Sequence, residues 1–215
     1  CIAVLVDRTF QLLKKQLRTL TAETRSLAQR VIDMESEVRA GIGRLRKMRI
    51  SAVRIRHHGD FHLGQMLFTG KDFFIIDFEG EPARPIGERR IKRSPLRDVA
   101  GMLRSFHYAS SAARFGLVPG VLPSDGNEGF PDFWARFWYS NAAAAYLKGY
   151  FKTAGDAPFI PRSAETLRLL LDVFLIEKAV YEISYELNNR PEWLGIPLQG
   201  ILDLLKTSKE TGELA

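Results

Sequence analysis

Apolar residues recur at helical spacing along most of this chain and give way to short, dense apolar runs only between positions 50 and 78. Phe10, Leu13 and Leu17 share one face and predict a helix over 7–18. Leu27, Val31, Met34, Val38, Ile42 and Leu45 keep a helical phase and predict a second over 22–47. Thr21 stands at its N-cap position, and Glu23 lies in the first turn, where a negative charge suits the helix dipole. Both helices read as scaffold without chemistry. Ile50 to Arg56 alternates apolar and basic residues, as a short strand would. Met66-Leu67-Phe68 and the run from Lys71 to Ile76 predict paired strands around the turn Thr69-Gly70-Lys71-Asp72.

Helices dominate again further on. Ser94 followed by Pro95 is a helix start, since Ser accepts from orphan amides and Pro suits the first helical position. Leu96, Val99, Leu103 and Phe106 mark its buried face. Residues 115–131 are rich in Gly and Pro and read as a connecting loop. A helix over 132–152 carries Phe133, Trp134, Phe137, Trp138, Tyr146 and Tyr150; such a stripe is expected in the core, although one ring could serve as a stacking platform for a sugar. Ser163 opens a long helix to Asn188, with Leu167, Leu170, Leu171, Phe174 and Leu175 as its apolar face. Lys178, Tyr181 and Tyr185 follow at i, i+3 and i+7, on one face. They read either as tyrosines at a core edge with a solvated lysine, or as a carbohydrate clamp of flat rings, hydroxyls and an ammonium. Pro191 ends this helix, and Pro197 starts a short last one with Leu198, Ile201, Leu202 and Leu205. The fold expected is mainly α with a small β element.

Composition narrows the class. A chain of 215 residues, 46% hydrophobic, can bury one real core and reads as a single domain over 1–215. Within it, 1–49 is helical scaffold, 50–81 holds the loops with chemistry, and 94–205 forms a helical substrate subdomain. One Cys excludes an internal disulfide framework and suits a reducing, cytoplasmic setting. The run Ile2 to Val6 is too short to cross a bilayer and lacks the flanks of a signal peptide. The net charge of +6 concentrates in Arg44–Arg56 and Arg84–Arg97. No aromatic residues interleave with the first run and no nucleic-acid motif accompanies it, so these read as solvated faces or as a field opposing an anionic small molecule.

The chemistry sits in His58-Gly59-Asp60-Phe61-His62-Leu63-Gly64-Gln65 and in Asp77-Phe78-Glu79. Gln65 follows Asp60 by five positions and Asp77 follows it by seventeen. Protein kinases place a catalytic Asp, a metal-binding Asn and a second metal-binding Asp in a comparable order. Phosphoryl transfer needs one carboxylate beside the acceptor hydroxyl and hard oxygen ligands that fix Mg2+ on the nucleotide phosphates. The loop lets Asp60 and Gln65 face one small volume, and the strand before Asp77 returns the chain to it. A competing reading makes His58, Asp60 and His62 a two-His-one-carboxylate metal site; it leaves Gln65 and the Asp77-Phe78-Glu79 element unused.

H-G-D-x-H-x-G-Q followed by I-D-F-E-G-E-P resembles the aminoglycoside-phosphotransferase-like kinases and, within them, the maltokinases. Arg93 to Ser105, Glu177 to Glu182 and Tyr185 to Leu198 continue the likeness, which covers roughly residues 50–205. The resemblance implies the carboxy-terminal lobe of a kinase-like fold using ATP and Mg2+ to make maltose 1-phosphate. Asp60 would be the base, and Gln65 and Asp77 the metal ligands. Glu79, His58 and His62 would lie in or behind the metal shell, the two histidines more as braces. Asp98 would brace the loop backbone, and Lys178, Tyr181 and Tyr185 would line the maltose site. No Gly-rich phosphate loop and no lysine-bearing strand precede the catalytic loop. The chain is therefore expected to be part of a longer protein, with an amino-terminal lobe or a fused trehalose synthase as partner. A kinase for another small alcohol or an aminoglycoside, and a non-catalytic remnant that binds sugar or a partner, are the rival readings.

Overall fold

The computed structural model describes residues 2–45, 48–114 and 130–210. Eight helices and one two-stranded antiparallel sheet are found among them, so the chain is mainly α with a small β element. The helices are α1 Ile2–Gln16, α2 Ala22–Asp33, α3 Glu35–Arg44, α4 Ile86–Arg89, α5 Leu96–Arg114, α6 Phe130–Ala154, α7 Ala164–Asn189 and α8 Gly195–Glu210. The strands are β1 Met66–Phe68 and β2 Phe73–Ile75. Two compact units divide the chain: residues 1–49 with 172–215, and residues 50–171. The scaffold 1–49 thus shares a body with most of α7 and with α8, and the segment 94–205 is split within α7.

In the first unit, Phe10 and Leu13 of α1, Ala28 and Val31 of α2, Val38 of α3, Ile183 of α7 and Ile201 and Leu205 of α8 are all but fully buried. Thr21 caps α2, its hydroxyl accepting from the Thr24 amide. The helix expected over 22–47 is broken. Met34, at φ −95° and ψ 14°, closes α2, and Glu35 and Glu37 supply the acidic first turn of α3. Val31 and Val38 are buried on either side of the break, which is why the apolar period reads as one helix. Lys14 of α1 holds Glu35 of α3 at 2.6 Å, and that hydrogen bond is the main cause of the lowered Glu35 pKa.

In the second unit, Leu96, Val99, Ala100, Met102 and Leu103 of α5 form the buried stripe. Ser94 accepts from the Leu96 amide at the start of α5. The strand expected over 50–56 is reduced to one antiparallel bridge, Ile55 with Arg93, plus a Val53 amide bond to Pro158 O; with no extended neighbour, alternation alone builds no ladder. The hairpin of β1 and β2 has the register Met66–Ile75, Leu67–Phe74 and Phe68–Phe73. Thr69 closes its turn by accepting from the Asp72 amide and donating to the Asp72 carbonyl. The expected core stripe on α6 is also corrected: Phe133, Trp134, Phe137 and Trp138 are exposed, while Tyr146 packs edge-on against Phe106 of α5. The loop expected over 115–131 falls, up to residue 129, outside the described residues.

Candidate functional site

The loop from His58 to Gln65 is held along α5. Asp98, in the first turn of α5, accepts from the His58 amide at 2.6 Å and the Gly59 amide at 2.9 Å. Two charge-assisted bonds to adjacent amides fix the backbone just ahead of Asp60. One turn on, Gly101 lets the helix touch the loop: a Cβ there would sit 2.6 Å from the Phe61 carbonyl oxygen. Ser105 then accepts from the Leu63 amide at 3.0 Å. A first-turn Asp, a Gly and a Ser thus seat the loop on one face of one helix.

Both histidines have local work. His58 is buried, its Nε2 2.8 Å from the Ile76 carbonyl and its Nδ1 accepting from the Asp60 amide. Its ring ties this loop to the residue after β2 and packs against Phe61 and Phe78. His62 caps the 3₁₀ turn Leu63–Gln65, its Nδ1 accepting from the Gly64 amide, while Nε2 lies 3.8 Å from Asp60 Oδ2. Both nitrogens of His58 are thereby engaged, which argues against the His58–Asp60–His62 metal triad. No cluster of three or more His, Cys, Asp or Glu able to hold an ion occurs among the described residues.

Gln65 and Asp77 meet. The Gln65 amide donates to Asp77 Oδ2 at 3.1 Å, and the Ile76 amide bonds the Gln65 carbonyl at 3.0 Å, extending the hairpin by one link. Gln65 is buried and Asp77 exposed. Asp77 is the sole non-glycine residue with positive φ among the described residues, at 60°. An Asp tolerates this left-handed conformation, and strain of this kind gathers at functional sites. Asp60 is largely covered, its side chain 17% exposed; Glu79 is exposed. The loop after Asp77 returns to the site, since Gly80 at φ +78° lies against the His58 carbonyl and against Gly59.

His57, which sequence reasoning did not single out, is half-buried beside this loop. Burial is the main cause that lowers its pKa, Asp98 opposes the shift, and Arg97, Arg93 and Arg84 add to it. Burial likewise pushes the Tyr146 and Tyr150 hydroxyls of α6 up, with the Asp98 charge contributing.

Lys178, Tyr181 and Tyr185 belong to the other unit. The Lys178 ammonium lies over the Tyr181 ring at 5.1 Å, and the Tyr181 and Tyr185 rings stack at 6.4 Å and 30°. Tyr185 is 43% exposed, which excludes a purely internal role. Sequence reasoning missed what stands behind it: Arg190, forked onto Glu186 and lying over both Tyr185 and Trp193. The i, i+4 spacing of Glu186 and Arg190 was the available signal.

The unit 50–171 thus holds a loop-borne carboxylate seated on α5 and an amide–carboxylate pair at the open end of the hairpin. Structural comparison bears on the fold. The chain aligns over its whole length with glucosamine kinase in complex with glucosamine, ADP and inorganic phosphate, with a TM-score of 0.75 and 23% identity, covering 49% of that chain. Crystal form A of glucosamine kinase gives a TM-score of 0.74 and 24% identity, with all of this chain and 48% of that chain covered. The fold is therefore shared with about half of the glucosamine kinase chain.

In sequence, the chain is 31% identical over 158 residues to a glucosamine kinase of Mycolicibacterium smegmatis (strain ATCC 700084 / mc(2)155), covering 72% of this chain and 35% of the relative. It is 28% identical over 152 residues to a glucosamine kinase of Streptacidiphilus jiangxiensis, covering 69% of this chain and 31% of the relative. The chain spans about a third of the length of these curated relatives. No family model matches it. These four similarities are to glucosamine kinases and give no support to a maltokinase or a trehalose synthase fusion.

Proposed function

We propose that this chain carries the catalytic and acceptor-binding residues of an ATP-dependent sugar kinase of the aminoglycoside-phosphotransferase type. The observation that carries the reading is the meeting of Gln65 with the strained Asp77, beside a loop that holds Asp60 through Asp98. Asp60 would accept the proton of the attacking sugar hydroxyl. Gln65 and Asp77 would hold Mg2+ on the nucleotide phosphates; the Gln65 amide needs only to turn its oxygen toward the ion, while Asp77 already offers a hard anionic ligand. Mg2+ would neutralise charge on the transferring phosphoryl group. Glu79 would assist through water or a second ion, and His58, His62 and Asp98 would keep the loop in shape.

The acceptor we favour is glucosamine, because the similar proteins are glucosamine kinases. The stacked Lys178–Tyr181–Tyr185 face supports a pyranose acceptor and keeps maltose as the second reading. A fused trehalose synthase belongs to that second reading alone. The reaction would also need a lobe that grips the nucleotide.

The test is a phosphorylation assay with the protein expressed from its complete reading frame, ATP, Mg2+ and a panel of glucosamine, maltose, glucose and an aminoglycoside, the product identified by phosphorus NMR. Glucosamine-dependent formation of a phosphomonoester is expected. Turnover of maltose alone would favour the second reading, and turnover of none would leave the non-catalytic binding role.

A further inference from the structure

The end of α7 builds a stacked column. In order it runs Lys178 ammonium, Tyr181 ring, Tyr185 ring, Arg190 guanidinium and Trp193 indole. The guanidinium carbon lies 5.4 Å from the Tyr185 centroid and 4.8 Å from that of Trp193. Its edge is taken by Glu186: Nε donates to Oε2 at 3.0 Å and Nη2 to Oε1 at 2.8 Å. The Glu186 side chain is only 2% exposed, whereas that of Arg190 is 42% exposed. A planar fork on a buried carboxylate is a fixed orientation, because both bonds hold only when the two planes align.

The local sequence builds this clamp. Asn188 and Asn189 donate side-chain amides back to the Ser184 and Tyr185 carbonyls one turn earlier. Arg190 leaves helical geometry at φ −146°, and Pro191 starts a 3₁₀ turn over Pro191–Trp193. The Trp193 amide bonds the Arg190 carbonyl at 2.9 Å, folding the indole back over the guanidinium. N-N-R-P-x-W is thus the sequence of a helix end that returns a ring onto an arginine.

We propose that Arg190 is a positioning residue for the acceptor sugar: held by Glu186 and backed by Trp193, it sets the plane of the Tyr185 ring that meets the pyranose. The inference rests on the reading of Tyr185 as part of the sugar face. An exposed tyrosine without this backing samples several rotamers and must be ordered on binding. Ordering one such side chain corresponds to about 2- to 13-fold in affinity.

The test uses the protein from its complete reading frame, with KM and kcat read for glucosamine and for maltose. Arg190→Lys keeps the charge and one bond to Glu186 but removes the plane. The pair Glu186→Leu with Arg190→Met removes the ion pair without leaving a buried charge, an exchange that is often neutral for stability. Each is expected to raise the sugar KM roughly 2- to 13-fold, with kcat and the KM for ATP unchanged. A purely structural Arg190 would move Tm and leave the sugar KM alone. An unchanged sugar KM in either variant that keeps the parent Tm overturns the proposal. Tyr185→Ala separates the two levels: if it raises KM and the Arg190 variants do not, only this inference fails. If Tyr185→Ala also leaves both sugars unaffected, or if neither sugar binds the parent protein, the sugar-face reading fails with it.

Discussion

At the scale of single residues, charge and backbone conformation decide what each group can do. Asp77 and Gln65 share a hydrogen bond, yet their contributions to a cation would differ, one anionic and one neutral. Asp77→Ala should therefore lower turnover more than Gln65→Ala, and added Mg2+ should partly restore the Gln65 variant; steady-state rates across a Mg2+ titration check the order. Asp98 accepts from two consecutive amides, and Asn offers only one acceptor oxygen. Asp98→Asn should cost roughly 1.5–3 kcal/mol, the worth of one charged hydrogen bond, read by urea unfolding. His57 gives a pH dependence. Burial, with three arginines, makes the folded state resist its protonation, so the unfolded chain takes the proton first as pH falls. Its contribution is present above the unfolded value of about 6.5 and is lost as pH drops through that value toward the lower folded one. His57→Gln should reduce the fall in Tm between neutral and acidic pH; an unaltered slope would show that His57 titrates alike in both states.

At the scale of elements, the legible parts were those with a strong local signal. Thr21, Ser94 and Ser163 mark helix starts, and each accepts from the backbone amide expected of a cap or first turn. The hairpin was legible because Gly70, at φ +91°, sits in a turn between dense apolar runs. What failed depended on partners far away in sequence. Ile50 to Arg56 alternates correctly but finds only Arg93 to bridge. Met34 interrupts a helix whose apolar phase continues across it. Phe133, Trp134, Phe137 and Trp138 of α6 have core composition and an exposed setting. Gly101 gave no signal, since its need arises from a loop forty residues earlier. Gly101→Ala should push the Phe61 carbonyl and so displace the loop carrying Asp60; a drop in kcat with helix content unchanged by circular dichroism is expected. Conversely, the hairpin exposes Phe68, Phe73 and Phe74 by more than half each. Apolar surface gathered in this way favours association, so the 215-residue chain alone should form larger species in light scattering, reduced by Phe73→Ser.

At the scale of the whole molecule, the candidate residues fall into two bodies. Asp60, Gln65, Asp77 and Asp98 lie in the unit 50–171, and Lys178, Tyr181 and Tyr185 in the unit of 1–49 with 172–215. The motif pattern made the kinase-like fold legible, and the fold match to glucosamine kinase agrees with it. The acceptor was not legible in the same way, because rings and a lysine suit many sugars and selectivity depends on placement rather than composition. No helix among the described residues is long and apolar enough to cross a membrane. The central claim is that Asp60 accepts the proton of a sugar hydroxyl during phosphoryl transfer. It is tested most directly by comparing the parent protein, expressed from its complete reading frame, with its Asp60→Asn variant. Both are assayed for transfer from labelled ATP to glucosamine and for sugar affinity by calorimetry. A loss of ~10²–10⁴-fold in turnover with sugar affinity retained is the predicted result; a variant working at near the parent rate would contradict it.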